Sequence, residues 1–150
     1  MKIKKKKGVD GKLDTAWAKL VKLRANNKCE YCGTTEKQLH SHHIYTRSRK
    51  ATRWDVKNGL SLCAGHHVLS SKFSAHKTPQ EFTEWLIQYK GQEEVDRLRL
   101  KSNNTCKMME FEKEVLLEEL KKEIKKEEQR INYEKTRRSK PKDQGTTRIN

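Results

Sequence analysis

Cys29-x-x-Cys32 and Cys63-x-x-His66 are two pairs of metal donors, each at the spacing that puts both members on one tight turn. Two such turns closed on one ion make a tetrahedral zinc site, a better use of this pattern than disulfides. Interleaved with the pairs are His42, His43, Asn58 and His67, which that site does not need and which could build a second one. The stretch from Cys29 to His67 holds three of the four cysteines and five of the six histidines, so the chemistry is concentrated in one segment. Cys106 is left over, either a small helix residue or a fourth ligand in place of His66. His40 precedes His42 by two residues on the same strand face, as an alternative ligand or a solvated side chain. His76 lies outside the segment beside a turn and reads as surface.

A His doublet ending one strand, an Asn ahead of the second zinc pair and a His directly after it resemble the HNH motif of the ββα-metal endonucleases. The resemblance implies a general base at His43, with Asn58 holding the loop between two strands. It also implies a catalytic cation on His42 and His67, and a structural zinc on Cys29, Cys32, Cys63 and His66. Two departures stand out: His42 replaces the more usual Asp, and His66 the more usual second Cys. The run from Cys29 to about Arg130 includes QYKGQEEVDRL, Ser102-Asn103-Asn104 and a charged helix with Cys106. It further resembles the phage NinG (Rap) recombination nucleases. That resemblance implies cutting of branched DNA, such as Holliday junctions or D-loops, in a bacterial host cytoplasm, leaving a 5′-phosphate and a 3′-hydroxyl.

Such hydrolysis needs a deprotonated water, a Lewis acid on the phosphate and relief of charge on the leaving oxygen. A neutral His43 can accept the proton, and a cation beside it can do the rest. Imidazole ligands suit Mn²⁺, Ni²⁺ or Co²⁺ better than the oxygen-seeking Mg²⁺, so Mn²⁺ is expected to exceed Mg²⁺ in supporting cleavage. The competing reading is a zinc module that binds nucleic acid without cutting it, and it needs neither His43 nor His67. Arg47, Arg49, Lys50 and Arg53, in the loop after the first strand, are candidates for gripping phosphate.

Composition agrees with a polyanionic partner. Of 150 residues, 35 are Lys or Arg and 20 Asp or Glu, a formal net charge of +15. With 32% hydrophobic residues the chain holds one small domain with extensions, in which a zinc site contributing ~10 kcal/mol can decide folding. No apolar run reaches spanning length and no signal-peptide pattern follows the basic start, so the chain reads as soluble and cytosolic with reduced thiols.

The elements that must position these residues follow from pattern. The expected class is α+β, a zinc-stabilised ββα-metal core with flanking helices and a long C-terminal helix. A basic flexible arm is expected over residues 1–12, the nuclease core over 13–77, a helical extension over 78–135 and a disordered basic tail over 136–150. Within the core, a helix capped by Asp14 runs to about Ala25 and turns Leu13, Trp17, Leu20 and Val21 toward the zinc module. Strands are expected over 39–46 and near 60–62, where Leu60 and Leu62 alternate with Ser61 to bury one face. A helix then starts from Cys63 and carries His66 and His67. Thr78-Pro79-Gln80-Glu81 reads as a capping box with Pro at the first helical position, and Gly91 as the stop. A short helix is expected over 93–100 and a long one over 105–135. The Leu117, Leu120, Ile124 and Ile131 stripe of the long helix serves either inward packing or a homodimer.

Overall fold

A computed structural model describes residues 8–35 and 38–139. The chain forms α1 (Val9–Arg24), β1 (Leu39–His43), β2 (Gly59–Cys63), α2 (Pro79–Lys90), α3 (Gln92–Ser102) and α4 (Glu110–Ser139). A 3₁₀ turn over Val56–Asn58 precedes β2, and a π-helical turn over Gly65–Leu69 follows it. This is an α+β architecture with a single two-stranded antiparallel sheet among the described residues.

The register pairs Leu39 with Cys63, His40 with Leu62, Ser41 with Ser61, His42 with Leu60 and His43 with Gly59. Alternation therefore gives the sheet two unlike faces. His40, His42, Leu60 and Leu62 share one, which packs with Phe82 and Leu86 of α2 and Val95 of α3 around Cys29 and Cys63. Ser41, His43, Gly59 and Ser61 share the other, which meets α1: Ser41 Oγ donates to the Ala18 carbonyl, and Trp17 stacks on His43. Both faces are covered, so all five residues of β2 are buried, including Ser61. The single buried face expected from Leu60-Ser61-Leu62 is thus corrected, because polar and small residues also line a close helix contact. Gly59 makes that contact possible. A Cβ there would stand 2.3 Å from Val21 Cγ2 and 2.9 Å from Trp17 Cζ2.

Leu13, Trp17, Leu20 and Val21 make α1 the centre of a second core. Its outer wall is α4, whose Leu117, Leu120 and Ile124 are buried against it and whose Ile131 is partly so. The two helices run in the same direction, with Lys113 paired to Asp10 near their starts and Arg130 bonded to Asn26 Oδ1 beyond the end of α1. The α4 stripe is thus covered by this chain's own α1. Exposed ion pairs along the seam, such as Arg24 to Glu123, are screened by solvent and add little to the packing.

Several boundaries differ from expectation. Gly8 stands at the start of α1 and Asp14 lies inside the helix, so residues 9–12 are helical and not part of an arm; residues 1–7 lie outside the described chain. Asp10 and Asp14 explain the extension, since each is held by a cation from elsewhere in the fold. Thr78 makes no capping box, because its hydroxyl donates to the Ser74 carbonyl and accepts from Ser74 N–H. The helix expected from Cys63 is only the π turn, ended by the Ser70 amide bonding back to the Gly65 carbonyl. The long helix begins later, at Glu110, and Cys106 precedes it outside any helix. That helix continues through Ser139, so residues 136–139 are not tail, and 140–150 lie outside the described chain. No described helix is long and apolar enough to cross a membrane.

Candidate metal centres

The first donor cluster is built by two turns. Asn26 and Asn27, both at φ near +53°, bend the chain out of α1, and Gly33 at φ +71° closes the turn after Cys32, all in the left-handed region that Asn and Gly tolerate best. The second turn leaves β2 at Cys63 and enters the π turn at Gly65. Together they bring one donor atom each of Cys29, Cys32, Cys63 and His66 within 4.8 Å of one another. The Cys63 and Cys29 sulfurs lie 3.2 and 3.7 Å from His66 Nδ1. Burial opposes charge on Cys29, but backbone N–H groups of Cys32, Cys63 and Tyr31 outweigh it and lower that thiol's pKa. Burial raises Cys32, and the neighbouring Cys29 and Cys63 push it the same way. Negative charge accumulating on three adjacent sulfurs is relieved by a cation, and three thiolates with one imidazole suit zinc.

The second cluster begins one residue later. A π turn is wider than an α-turn, and here His66 joins the sulfurs while His67 faces the sheet side that carries His40 and His42. The chain then folds back, with the Ala75 amide donating to the His66 carbonyl, and delivers His76. One nitrogen each of His42, His67 and His76 lies within 4.8 Å of the others, and the His67 and His76 Nε2 atoms are 3.3 Å apart. Burial, reinforced by His67 and His76, pushes His42 down to about 3, so it is neutral and its lone pair is available. Burial, with His76 and His40 adding to it, lowers His67 as well. Three imidazoles without a carboxylate fit a borderline divalent cation.

His76 is exposed, as its sequence context suggested, yet it belongs to this cluster; no fixed spacing announces a donor returned by a loop. His40 stacks on His67 with ring centroids 5.2 Å apart but lies outside the three-nitrogen group. Cys106 belongs to neither cluster and lines a small cavity with Lys50 and Trp54.

His43 is held separately. Its ring lies 3.7 Å from that of Trp17, nearly parallel, and its Nε2 is 2.8 Å from the Arg53 carbonyl oxygen. A carbonyl only accepts, so Nε2 carries the proton and Nδ1 keeps the lone pair. Burial lowers His43's pKa more than the Arg53 hydrogen bond raises it. The expectation that His43 shares a face with the cation on His42 and His67 is corrected: alternation along β1 puts His42 and His43 on opposite faces of the sheet, and the ring neighbours of His67 are His40, His42 and His76.

Asn58 is fully buried and ties down the loop that carries the Arg53 carbonyl. Its Oδ1 accepts from Tyr45 N–H at 2.7 Å, and its Nδ2 donates to the Tyr45 and Thr52 carbonyls. Arg53 is corrected from a phosphate contact to an internal strut. Its side chain is only 11% exposed and donates twice to Asp14, which also accepts from Trp54 Nε1. Arg47 and Lys50 remain exposed, and Arg49 reaches Asn103 Oδ1 at 3.2 Å.

No protein-family model, curated protein or solved structure matches this chain.

Proposed function

We propose that this protein is a metal-dependent DNA endonuclease of the HNH type, acting on branched recombination intermediates. The observation that carries the reading is the pair of distinct donor clusters sharing one five-residue turn, with a proton-accepting imidazole at the same strand end as one of them. A basic nucleic-acid binder with one structural zinc has no use for a second imidazole cluster.

In this reading Cys29, Cys32, Cys63 and His66 hold zinc and fix the turn. His42, His67 and His76 would hold a divalent cation, which when bound supplies Lewis acidity at the phosphate and at the leaving 3′ oxygen. A phosphodiester laid across the end of the sheet meets those histidines from one face and His43 from the other. Nδ1 of His43 accepts the proton of the attacking water, Trp17 blocks rotation of the ring, and the Arg53 carbonyl fixes its tautomer. Asn58 positions the loop without touching substrate. Arg47, Arg49 and Lys50 contribute attraction for the backbone. The products are a 5′-phosphate and a 3′-hydroxyl.

The test is cleavage of labelled duplex, flap and four-way junction DNA by wild type, His43→Ala and His67→Ala in Mn²⁺ and in Mg²⁺. Cutting by wild type alone, faster in Mn²⁺ and strongest on the junction, is the expected result. Equal cutting by His43→Ala would remove the base from the reading, and no cutting by any protein would leave the binding module.

A further inference from the structure

Behind the segment that holds His43 lies a cleft of about 480 Å³ between α3, α4 and the 3₁₀ turn. Its floor includes Trp54, Leu98 and Leu120, and its rim carries Lys57, Arg97 and Lys101. The rim has a layered charge arrangement. Glu94 is paired with Lys57 and Arg97, and Asp55 with Lys101. The two carboxylates are tucked in, their side chains 20% and 17% exposed, whereas the three cations are 55%, 62% and 50% exposed. An approaching group therefore meets positive charge first, held in place by acids beneath it.

Asp55 shows how the cleft relates to the histidines. Its carbonyl accepts from Trp17 Nε1 on the α1 side, while its carboxylate pairs with Lys101 on the cleft side. The cleft also adjoins a second cavity of about 250 Å³ that shares Trp54, Asp55 and Lys101 with it and reaches Lys50. Cations thus continue from the loop beside the histidines around to α3, a track suited to a linear polyanion.

From this arrangement we infer that the Lys57–Arg97–Lys101 cleft binds the sugar-phosphate backbone of a second DNA arm, while the first arm lies on the histidines. The inference rests on the endonuclease reading and adds where that substrate's branch is recognised. A straight duplex seated on the histidines leaves the far side of the segment uncovered; a branched one brings another backbone to it. The cations are preorganised by their ion pairs, so little side-chain freedom is lost on docking.

The experiment measures binding, not cutting. Fluorescence anisotropy of labelled four-way junction and linear duplex is followed for the zinc-loaded full chain, without added divalent cation, over a range of salt. Arg97→Gln with Lys101→Gln is expected to weaken junction binding roughly tenfold and to reduce the salt slope by about 2, with linear duplex nearly unaffected. Glu94→Gln, which releases two cations and adds one net positive charge, is expected to tighten junction binding. Retained circular dichroism and thermal midpoint guard against misfolding in each variant. Equal weakening on both DNAs would overturn the second-arm assignment, and no change on either would give the cleft to an acidic protein partner. Failure of the wild type to bind any DNA would instead overturn the endonuclease reading, and the inference with it.

Discussion

At the scale of single residues, the site depends on which groups are prevented from doing something else. Asp14 is the clearest case, because it occupies both Arg53 and Trp54 and so fixes the carbonyl that orients His43. Burial would raise its pKa, yet the bonds from Arg53 and Trp54 and the positive charge of Arg53 more than compensate, and the carboxyl lies below its usual value. A folded-state pKa below the unfolded one contributes stability that is present above about pH 4 and is lost as pH falls through the folded value. Asp14→Asn should therefore lower stability at pH 7, by about 1 kcal/mol once solvent screening of the partly exposed carboxylate is discounted, with the gap to wild type closing in acid. Denaturant titrations of both proteins at pH 7 and below pH 4 check this, and a gap independent of pH would remove Asp14 as the anchor. The ligand set makes a second prediction. His42→Asp replaces an imidazole with a hard oxygen donor, so the ratio of Mn²⁺-supported to Mg²⁺-supported cleavage should fall; an unchanged ratio would exclude residue 42 from the metal.

At the scale of elements, the two-stranded sheet is a partition. One face carries His40 and, from the imidazole cluster, His42, and packs with α2 and α3; the other serves α1 and His43, and Gly59 admits α1 to the distance at which Trp17 can stack. Gly59→Ala is expected to destabilise the fold by about 1–3 kcal/mol and to displace Trp17, read as a change in indole fluorescence and in the His43 ring resonances. Wild-type stability and spectra in this variant would contradict the packing account. Much of this arrangement is legible in sequence because spacing determines it: Cys-x-x-Cys and Cys-x-x-His anticipate the first cluster, and the apolar stripe of α1 identifies the face that it buries. The start of α1 is not legible, since Gly8 and Gly11 look like a linker until Asp10 and Asp14 find their cations in other elements. Nor is His76, whose approach to His67 depends on the Ala75-to-His66 backbone bond and not on any periodicity. The inward role of Arg53 is illegible for a related reason: a basic loop residue looks free to grip phosphate unless its carboxylate partner, distant in sequence, is known.

At the scale of the whole molecule, a chain poor in apolar residues becomes one folded unit by splitting its core in two. One half gathers around α1 and α4, the other around Cys29, Cys63 and the start of the helical region, and the sheet lies between them. The formal net charge of +15 leaves a cation-rich surface, the property that the proposed DNA substrate would use. Two independent cation sites, with His43 a ligand in neither, are the central claim of the proposed mechanism. Titrating Mn²⁺ into zinc-loaded protein and following the free ion by electron paramagnetic resonance tests that claim most directly. Wild type and His43→Ala should each bind one Mn²⁺ per chain and keep their zinc, while His67→Ala should keep zinc and lose the Mn²⁺. Loss of zinc from His67→Ala, or undiminished Mn²⁺ binding by it, would contradict the division of the histidines between two sites.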